Sequence, residues 1–382
     1  MFVKVAVIAL SLGSIGTICG AEGGVAKSNP IELNNRGVLL TRQAKYAEAE
    51  ACYRQALDAW MHVANPDSVA RDRAHTLENL GSLMRDTGHY PEAEKDLTQA
   101  LADLEHAAGN ASLDVGEALE NLAALYRAEG DRGRAEAAAL RADSILEEPA
   151  RTYNRVLLGA IYNEERRFSE ARAMLEPLLS GATEKLGFAV NADLAAVALS
   201  ERKLDDAERY ARTALQFAAS GAGPSKVGLA ALYNNLGQLY RFQQRYEEAE
   251  KAYRKAIDLW TVACGPEHPY VADGLLNFAA FEHERGRDRA AEDLYRRAAG
   301  IFERALGADG VETLVARNEL GEVLRAEHRY VAAEQISRSS LAAMRMKLPM
   351  DDPRLLRAQS NYDRLRSETK RASNGKASGA ER

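Results

Sequence analysis

The hydrophobic pattern of the chain is built on a unit of two amphipathic helices. Its clearest copy covers residues 234–256, where apolar residues recur every three or four positions on both sides of a short polar stretch. That spacing places the apolar side chains on one face of each helix. Gly237 and Ala249 lie 12 residues apart, and small residues let two packed helices approach closely. The stretch therefore predicts a helix–turn–helix pair.

The same unit recurs along most of the chain. A small residue marks the first helix of each copy at Gly37, Gly81, Ala123, Gly159, Ala195, Gly237, Ala279 and Gly321. An alanine follows each of them 12 residues later, at Ala49, Ala93, Ala135, Ala171, Ala207, Ala249, Ala291 and Ala333. The steps between the small residues are 44, 42, 36, 36, 42, 42 and 42. The pattern predicts eight repeats, each a pair of packed helices.

The repeat resembles the tetratricopeptide repeat (TPR) family, from about Ile31 to Arg366. The Asn-Leu-Gly…Tyr…Ala…Tyr…Ala pattern of residues 235–256 carries the resemblance. Repeats of this family are usually about 34 residues long, whereas the 42-residue steps here look like the kinesin-light-chain type. The resemblance implies an all-α solenoid, a right-handed superhelix of helix-turn-helix repeats.

The repeat positions predict how the chain is divided. Asn361 and Tyr362 keep the pattern of a further first helix, while Asp363 replaces its small residue, as expected for a solvated final helix. Repeats four and five are the degenerate pair: they are short, and their aromatic positions are reduced to Leu175 and Ala211. The predicted segments are a disordered linker at 22–30, repeats one to three at 31–148, shorter repeats four and five at 149–222, repeats six to eight at 223–348, a cap helix at 349–367 and a disordered tail at 368–382.

The first 21 residues have no repeat pattern and predict an export signal. Lys4 precedes about 14 uncharged, mostly apolar residues, and Cys19 and Ala21 are small residues at the places expected before a cleavage site after Ala21. A signal anchor and a buried first helix are the alternatives. A lipoprotein anchored at Cys19 fits less well, because bulky Ile18 precedes the cysteine. The sequence thus predicts a periplasmic or secreted protein.

Charge narrows the choice of partner. The chain has 56 acidic and 50 basic residues, a formal net charge of −6. Nucleic acids and anionic membrane surfaces both attract a basic excess, so neither is expected as the main partner. No integral membrane span is expected in the mature chain, and the oligomeric state stays open.

Candidate chemistry is scarce. None of the seven histidines stands at a metal-binding spacing, and no nucleophile motif is present. The stretch from Gly221 to Lys226 superficially resembles a phosphate loop but follows a predicted helix instead of a strand. We therefore expect no catalysis, no cofactor and no metal.

Two rows of polar residues recur on the first helices. Asparagines stand two positions before the small residue at Asn35, Asn79, Asn121, Asn235 and Asn277, and arginines stand six residues after that position at Arg85, Arg127, Arg241 and Arg325. In the TPR family the asparagine position faces a concave groove, where an amide both donates to and accepts from a peptide. A groove of this kind suits an extended peptide with acidic or polar side chains. The alternative is that the asparagines are structural and the arginines solvated.

These observations predict a non-enzymatic scaffold that binds a peptide or a partner protein in its concave groove. The alternative is a structural or assembly component that self-associates through its convex face or its terminal repeats.

Overall fold

The computed structural model describes residues 29–43, 45–63, 66–180, 183–219 and 224–379. The predicted signal at 1–21 and nearly all of the predicted linker lie outside these residues. The chain divides into two compact units, and the boundary in the sequence falls between Leu229 and Ala230. We call them the N-terminal unit and the C-terminal unit.

The N-terminal unit contains five successive helix pairs. They are α1 (Pro30–Arg42) with α2 (Tyr46–Met61), α3 (Ala70–Asp86) with α4 (Tyr90–Ala108), α5 (Leu113–Glu129) with α6 (Arg132–Ile145), α7 (Ala150–Glu164) with α8 (Phe168–Leu175), and α9 (Glu184–Ser200) with α10 (Leu204–Ala219). Short 3-10 helices at Pro66–Val69 and Glu176–Leu179 extend two of the connections.

The C-terminal unit contains three further pairs and one last helix. They are α11 (Lys226–Phe242, which begins before the boundary) with α12 (Tyr246–Cys264), α13 (Pro269–Glu284) with α14 (Asp288–Leu306), α15 (Val311–Ala326) with α16 (Tyr330–Lys347), and α17 (Pro353–Gly379).

The packing within each unit is that of a stacked helical array. The helices of a pair contact each other, and the first helix of a pair also contacts the first helix of the next, as α3 does with α5 and α15 with α17. We call the side formed by these first helices the first-helix face. The described residues form helices and no strands, so the predicted all-α solenoid of eight helix pairs and a final helix is confirmed.

The small residues that mark each repeat lie where two helices touch. A Cβ atom added to Gly237 would stand 2.7 Å from Cδ1 of Tyr253, whose ring packs on the backbone of α11. Tyr253 in turn packs against Phe278 and Phe281 of the next repeat. The glycine therefore allows one aromatic side chain to join two repeats in a close-packed core.

The second helices follow the sequence expectation only in part. The 36-residue steps of repeats four and five predict shorter second helices there than in the 42-residue repeats. α8 ends after 8 residues, but α10 runs for 16, as long as α2. Ala207, Ala211 and Ala214 are buried on one face of α10 together with Tyr210, and the ring of Phe217 packs on Gly187 of α9. A full-length apolar face therefore holds α10 in place.

The final helix also extends beyond its expected end. It was predicted to stop near residue 367, whereas α17 continues to Gly379. Glu368 accepts hydrogen bonds from Nη1 of Arg325 at 2.9 and 3.0 Å. This ion pair ties the first turn beyond residue 367 to α15.

Candidate binding surface

The asparagine row of the first-helix face forms hydrogen bonds between repeats. Nδ2 of Asn79 donates to Oδ1 of Asn34 at 3.0 Å, and Nδ2 of Asn277 donates to Oδ1 of Asn234 at 3.1 Å. Each donor lies on the first helix that follows the helix of its acceptor. We call these contacts the asparagine ladder, and its members tie successive first helices together.

The remaining predicted asparagines have different surroundings. Asn121 donates to Oε1 of Glu78 at 3.4 Å and accepts from the hydroxyl of Ser82 at 3.3 Å, again across two repeats. Asn235 is buried, whereas Asn35 on the first helix is exposed. The structure therefore brings Asn79, Asn121 and Asn277 into contacts between repeats.

The arginine row is already paired with carboxylates. Nε of Arg127 lies 3.0 Å from Glu164, and Nε of Arg241 lies 3.1 Å from Glu284. Arg325 pairs with Glu368 at 2.9 Å. In each case the carboxylate belongs to the next repeat, so these arginines present little net positive charge to a ligand.

Arg85 differs from the other three in its partner. It donates through Nε and Nη2 to Oδ1 of its neighbour Asp86 at 2.9 and 2.8 Å. Arg85 is buried, and burying an unneutralised guanidinium would be costly. All four arginines of this row are therefore paired with carboxylates. The row does not support the expected preference for an acidic peptide.

Sequence reasoning overlooked these carboxylate partners. Glu164, Glu284 and Glu368 lie 37, 43 and 43 residues after the arginines that they neutralise. A search for opposite charges one repeat apart would have found them.

In the N-terminal unit, α3 and α5 bring a group of carboxylates to the first-helix face. Nδ1 of His75 lies 2.8 Å from Oε2 of Glu78, and this hydrogen bond raises the pKa of the histidine. Glu117 and Glu120 lie one turn apart on α5. Burial, reinforced by the charge of Glu117, raises the pKa of Glu120 to about 7, against the opposing influence of Arg85.

In the C-terminal unit the first-helix face contains a cavity of about 30 Å³. It lies between α13, α15 and α17, with α14 and α16 behind it. Its lining residues are Leu276, Asn277, Ala280, Tyr295, Val315, Asn318, Glu319, Met344, Arg354 and Arg357. Apolar walls with a few polar groups are typical of a small binding pocket.

One position of the asparagine ladder is open beside this cavity. Asn318 stands where Asn34 and Asn234 stand in their repeats, and Asn361 stands where Asn79 and Asn277 do. The Oδ1 of Asn318 and the Nδ2 of Asn361 are buried, and neither makes a hydrogen bond. The residues at these two positions form the bonds Asn79–Asn34 and Asn277–Asn234. Here the corresponding acceptor and donor are buried without a hydrogen bond.

Among the residues that the structure describes, no group of three or more His, Cys, Asp or Glu side chains is arranged to hold a metal ion. No helix in the described part of the chain has the length and apolar character needed to cross a bilayer.

Stacked helix pairs with small residues at every crossing define an α-solenoid repeat protein. The family model for the tetratricopeptide repeat matches residues 31–105, 188–261, 228–304 and 270–346, which together make up more than half of the chain. The chain belongs to the tetratricopeptide repeat family. The matches omit residues 106–187, where the structure nevertheless places helix pairs from α5 to α8.

Two of the similar solved structures, both Rap proteins, show the same fold at low sequence identity. A Rap protein complexed with competence and sporulation factor is 12% identical, with 90% of this chain and 99% of that chain covered and a TM-score of 0.58. The apo form of RapI is 15% identical, with 72% and 98% covered and a TM-score of 0.54. The TPR-like repeats of a Podosopora anserina kinesin light chain are 17% identical, with 52% and 97% covered and a TM-score of 0.42. No curated protein matches the sequence.

Proposed function

We propose that the protein is a non-enzymatic scaffold that binds a polypeptide along the first-helix face of its C-terminal unit. The observation that carries the proposal is the cavity between α13, α15 and α17, which adjoins the open position of the asparagine ladder. A polypeptide can supply both the donor and the acceptor that these buried amides lack. The fold shared with a Rap protein complexed with competence and sporulation factor agrees with this proposal.

The ligand that this face favours is polar and uncharged. Arg325 and Arg357 on this face are already paired with Glu368 and Glu319. An acidic side chain would have to compete with those carboxylates for the guanidinium groups, whereas a neutral polar group would not.

The proposal is tested by selecting ligands from a displayed library of random 12-residue peptides on the full chain. The affinity of the selected peptides is then measured for the wild type and for two matched variants, both in the same repeat. Val315→Arg alters the first-helix face beside the cavity, and Val331→Arg alters the second helix α16, where Val331 is 84% exposed. We expect Val315→Arg to weaken binding at least about tenfold, since it places a charge at a buried contact, and Val331→Arg to leave binding unchanged.

Two outcomes would contradict the proposal. One is a selection that yields no peptide with saturable binding. The other is binding that is lost in Val331→Arg and kept in Val315→Arg, which would move the site to the second-helix side. Circular dichroism of both variants establishes that each retains its helices.

Self-association is the second candidate function, and one observation favours it. Met346, Met350 and Leu356 are 87%, 76% and 55% exposed around the connection from α16 to α17. Exposed apolar side chains grouped at one place often mark a protein contact. Sedimentation equilibrium of the wild type and of a Met346→Ser, Met350→Ser variant tests it; a dimer lost in the variant would favour assembly, and a concentration-independent monomer would exclude it.

We further propose that the protein is exported and cleaved after Ala21. The proposal rests on the apolar stretch after Lys4 and the small residues before the cleavage point. Mass spectrometry of the native protein tests it, because export predicts a mature chain that begins at Glu22, and a chain retaining residues 1–21 would contradict cleavage.

A further inference from the structure

The cavity of the C-terminal unit is electrically balanced. Arg357 donates an Nη2 hydrogen to Oε2 of Glu319, and both residues line the cavity. The second lining arginine, Arg354, pairs with Asp352 at 2.8 Å. Leu276, Val315 and Met344 make its walls apolar. A charged group that entered would lose its hydration without meeting an unneutralised opposite charge. The cavity therefore favours a neutral group.

The buried amide of Asn318 defines which hydrogen bond that neutral group must make. Asn318 is 2% exposed, and its Oδ1 accepts no hydrogen bond. At the equivalent position Oδ1 of Asn234 accepts from Asn277. A buried acceptor without a donor is unfavourable, so the neutral group that fits here carries an N–H or O–H.

The size of the cavity limits the group further. A water molecule needs roughly 10–15 Å³ of such space, and the cavity offers about 30 Å³. Two or three heavy atoms fit, which is the end of a side chain and not a length of main chain. A carboxamide has three heavy atoms and both donates and accepts hydrogen bonds.

We propose that this cavity is a subsite for the terminal carboxamide of a glutamine or asparagine side chain on a bound polypeptide. The carboxamide N–H donates to Oδ1 of Asn318. Its oxygen accepts from Arg357, whose guanidinium has five N–H groups and gives one to Glu319. This assignment rests on the proposed function, because it names the residue type that the first-helix face selects.

Acetamide is the probe, and the methyl group of Met344 is the reporter. The chain has seven methionines, so a methyl-¹³C-methionine spectrum of the full chain is simple, and a Met344→Leu variant assigns the signal. Met344 is 1% exposed and lines the cavity. We expect acetamide to shift its signal saturably and sodium acetate at equal concentration to leave it in place. Buried Met84 of the N-terminal unit is the internal control and should not move.

Two variants complete the test. Asn318→Leu removes the acceptor and should abolish the acetamide shift. Ala280→Val narrows the cavity from α13 while keeping Asn318, and should weaken the shift at least severalfold, so the test survives if Asn318→Leu does not fold.

Three results would overturn the subsite. These are an acetate shift equal to that of acetamide, an acetamide shift that survives both variants, and no saturable shift at all. The probe needs no polypeptide, so failure of the subsite is separate from failure of the proposed function, which the peptide selection measures. Selected peptides that bind the first-helix face without a shared carboxamide would keep the function and reject the subsite.

Discussion

Nδ2 of Asn277 donates to Oδ1 of Asn234, 43 residues earlier in the chain, over 3.1 Å. The two asparagines lie on α13 and α11, so the bond joins the first helices of successive repeats. Both are buried, at 0% exposure each. Residues of the kind that the sequence assigned to ligand binding therefore also hold the repeats together.

Breaking this bond should destabilise the protein without changing its fold. Asn277→Ala leaves Oδ1 of Asn234 buried without its donor, and we expect the free energy of unfolding to fall by about 1–3 kcal/mol. Asn35→Ala, at the same repeat position but exposed, is the control and should change it by less than about 0.5 kcal/mol. Urea denaturation followed by circular dichroism measures both. If Asn277→Ala lowers the free energy of unfolding no more than Asn35→Ala does, the ladder does not contribute to stability.

The close approach of α11 to Tyr253 predicts opposite effects for two Gly→Ala changes. In Gly237→Ala the new methyl group would meet the Tyr253 ring at 2.7 Å, and we expect a loss of about 1–3 kcal/mol. Gly300 on α14 has open space, with only the end of Arg304 within 4 Å. Gly300→Ala should therefore gain about 0.5–1 kcal/mol. Thermal unfolding separates the two, and a stabilising Gly237→Ala would contradict the packing.

The raised pKa of Glu120 predicts a loss of stability as the pH rises. Its pKa is about 7 in the folded protein against an ordinary value of 4.5. Between these values the folded state binds more protons than the unfolded state, so stability falls as the pH rises through this window. Glu120→Gln should raise the melting temperature at pH 8 and change it little at pH 4.

The control for this prediction is Glu92→Gln, at an exposed position on α4. It should not alter the pH profile. Part of the pH dependence should persist in Glu120→Gln, because burial also raises the pKa of Glu129 to about 7. A melting temperature that rises equally at pH 4 and pH 8 would show that the carboxyl is not protonated in the folded protein.

In the turns between paired helices, substitutions of Gln244 and Gly286 should change the stability in opposite directions. Both occupy the second residue after a first helix, with φ of 61° and 71°. This left-handed region costs a residue with a side chain roughly 1–2 kcal/mol. Gly286→Ala should therefore lose about 1 kcal/mol, although nothing lies within 4 Å of its new Cβ.

Gln244→Gly should instead gain about 0.5 kcal/mol, because the relief of strain exceeds the added freedom of glycine in the unfolded chain. Differential scanning calorimetry of the two variants checks the sign of each change. A loss of stability in Gln244→Gly would show that its side chain stabilises the turn.

The sequence by itself determined the repeat architecture. Helical periodicity and the spacing of small residues predicted eight helix pairs and a final helix, because these patterns reflect contacts within one repeat and with its neighbour. Gly237 is an example: its pairing with a large residue 16 positions later is a local rule of two crossing helices. The family assignment follows from the same local pattern.

The tertiary structure alone decided which polar residues are already engaged. Sequence spacing placed Arg241 and Asn277 on the first-helix face, but Glu284 and Asn234, their partners, become neighbours only when one repeat stacks on the next. The open position at Asn318 and the cavity beside it also depend on side chains from α13, α15 and α17 together. Periodicity fixes the face on which a side chain lies, whereas its charge balance and free hydrogen-bonding capacity depend on atoms contributed by other repeats.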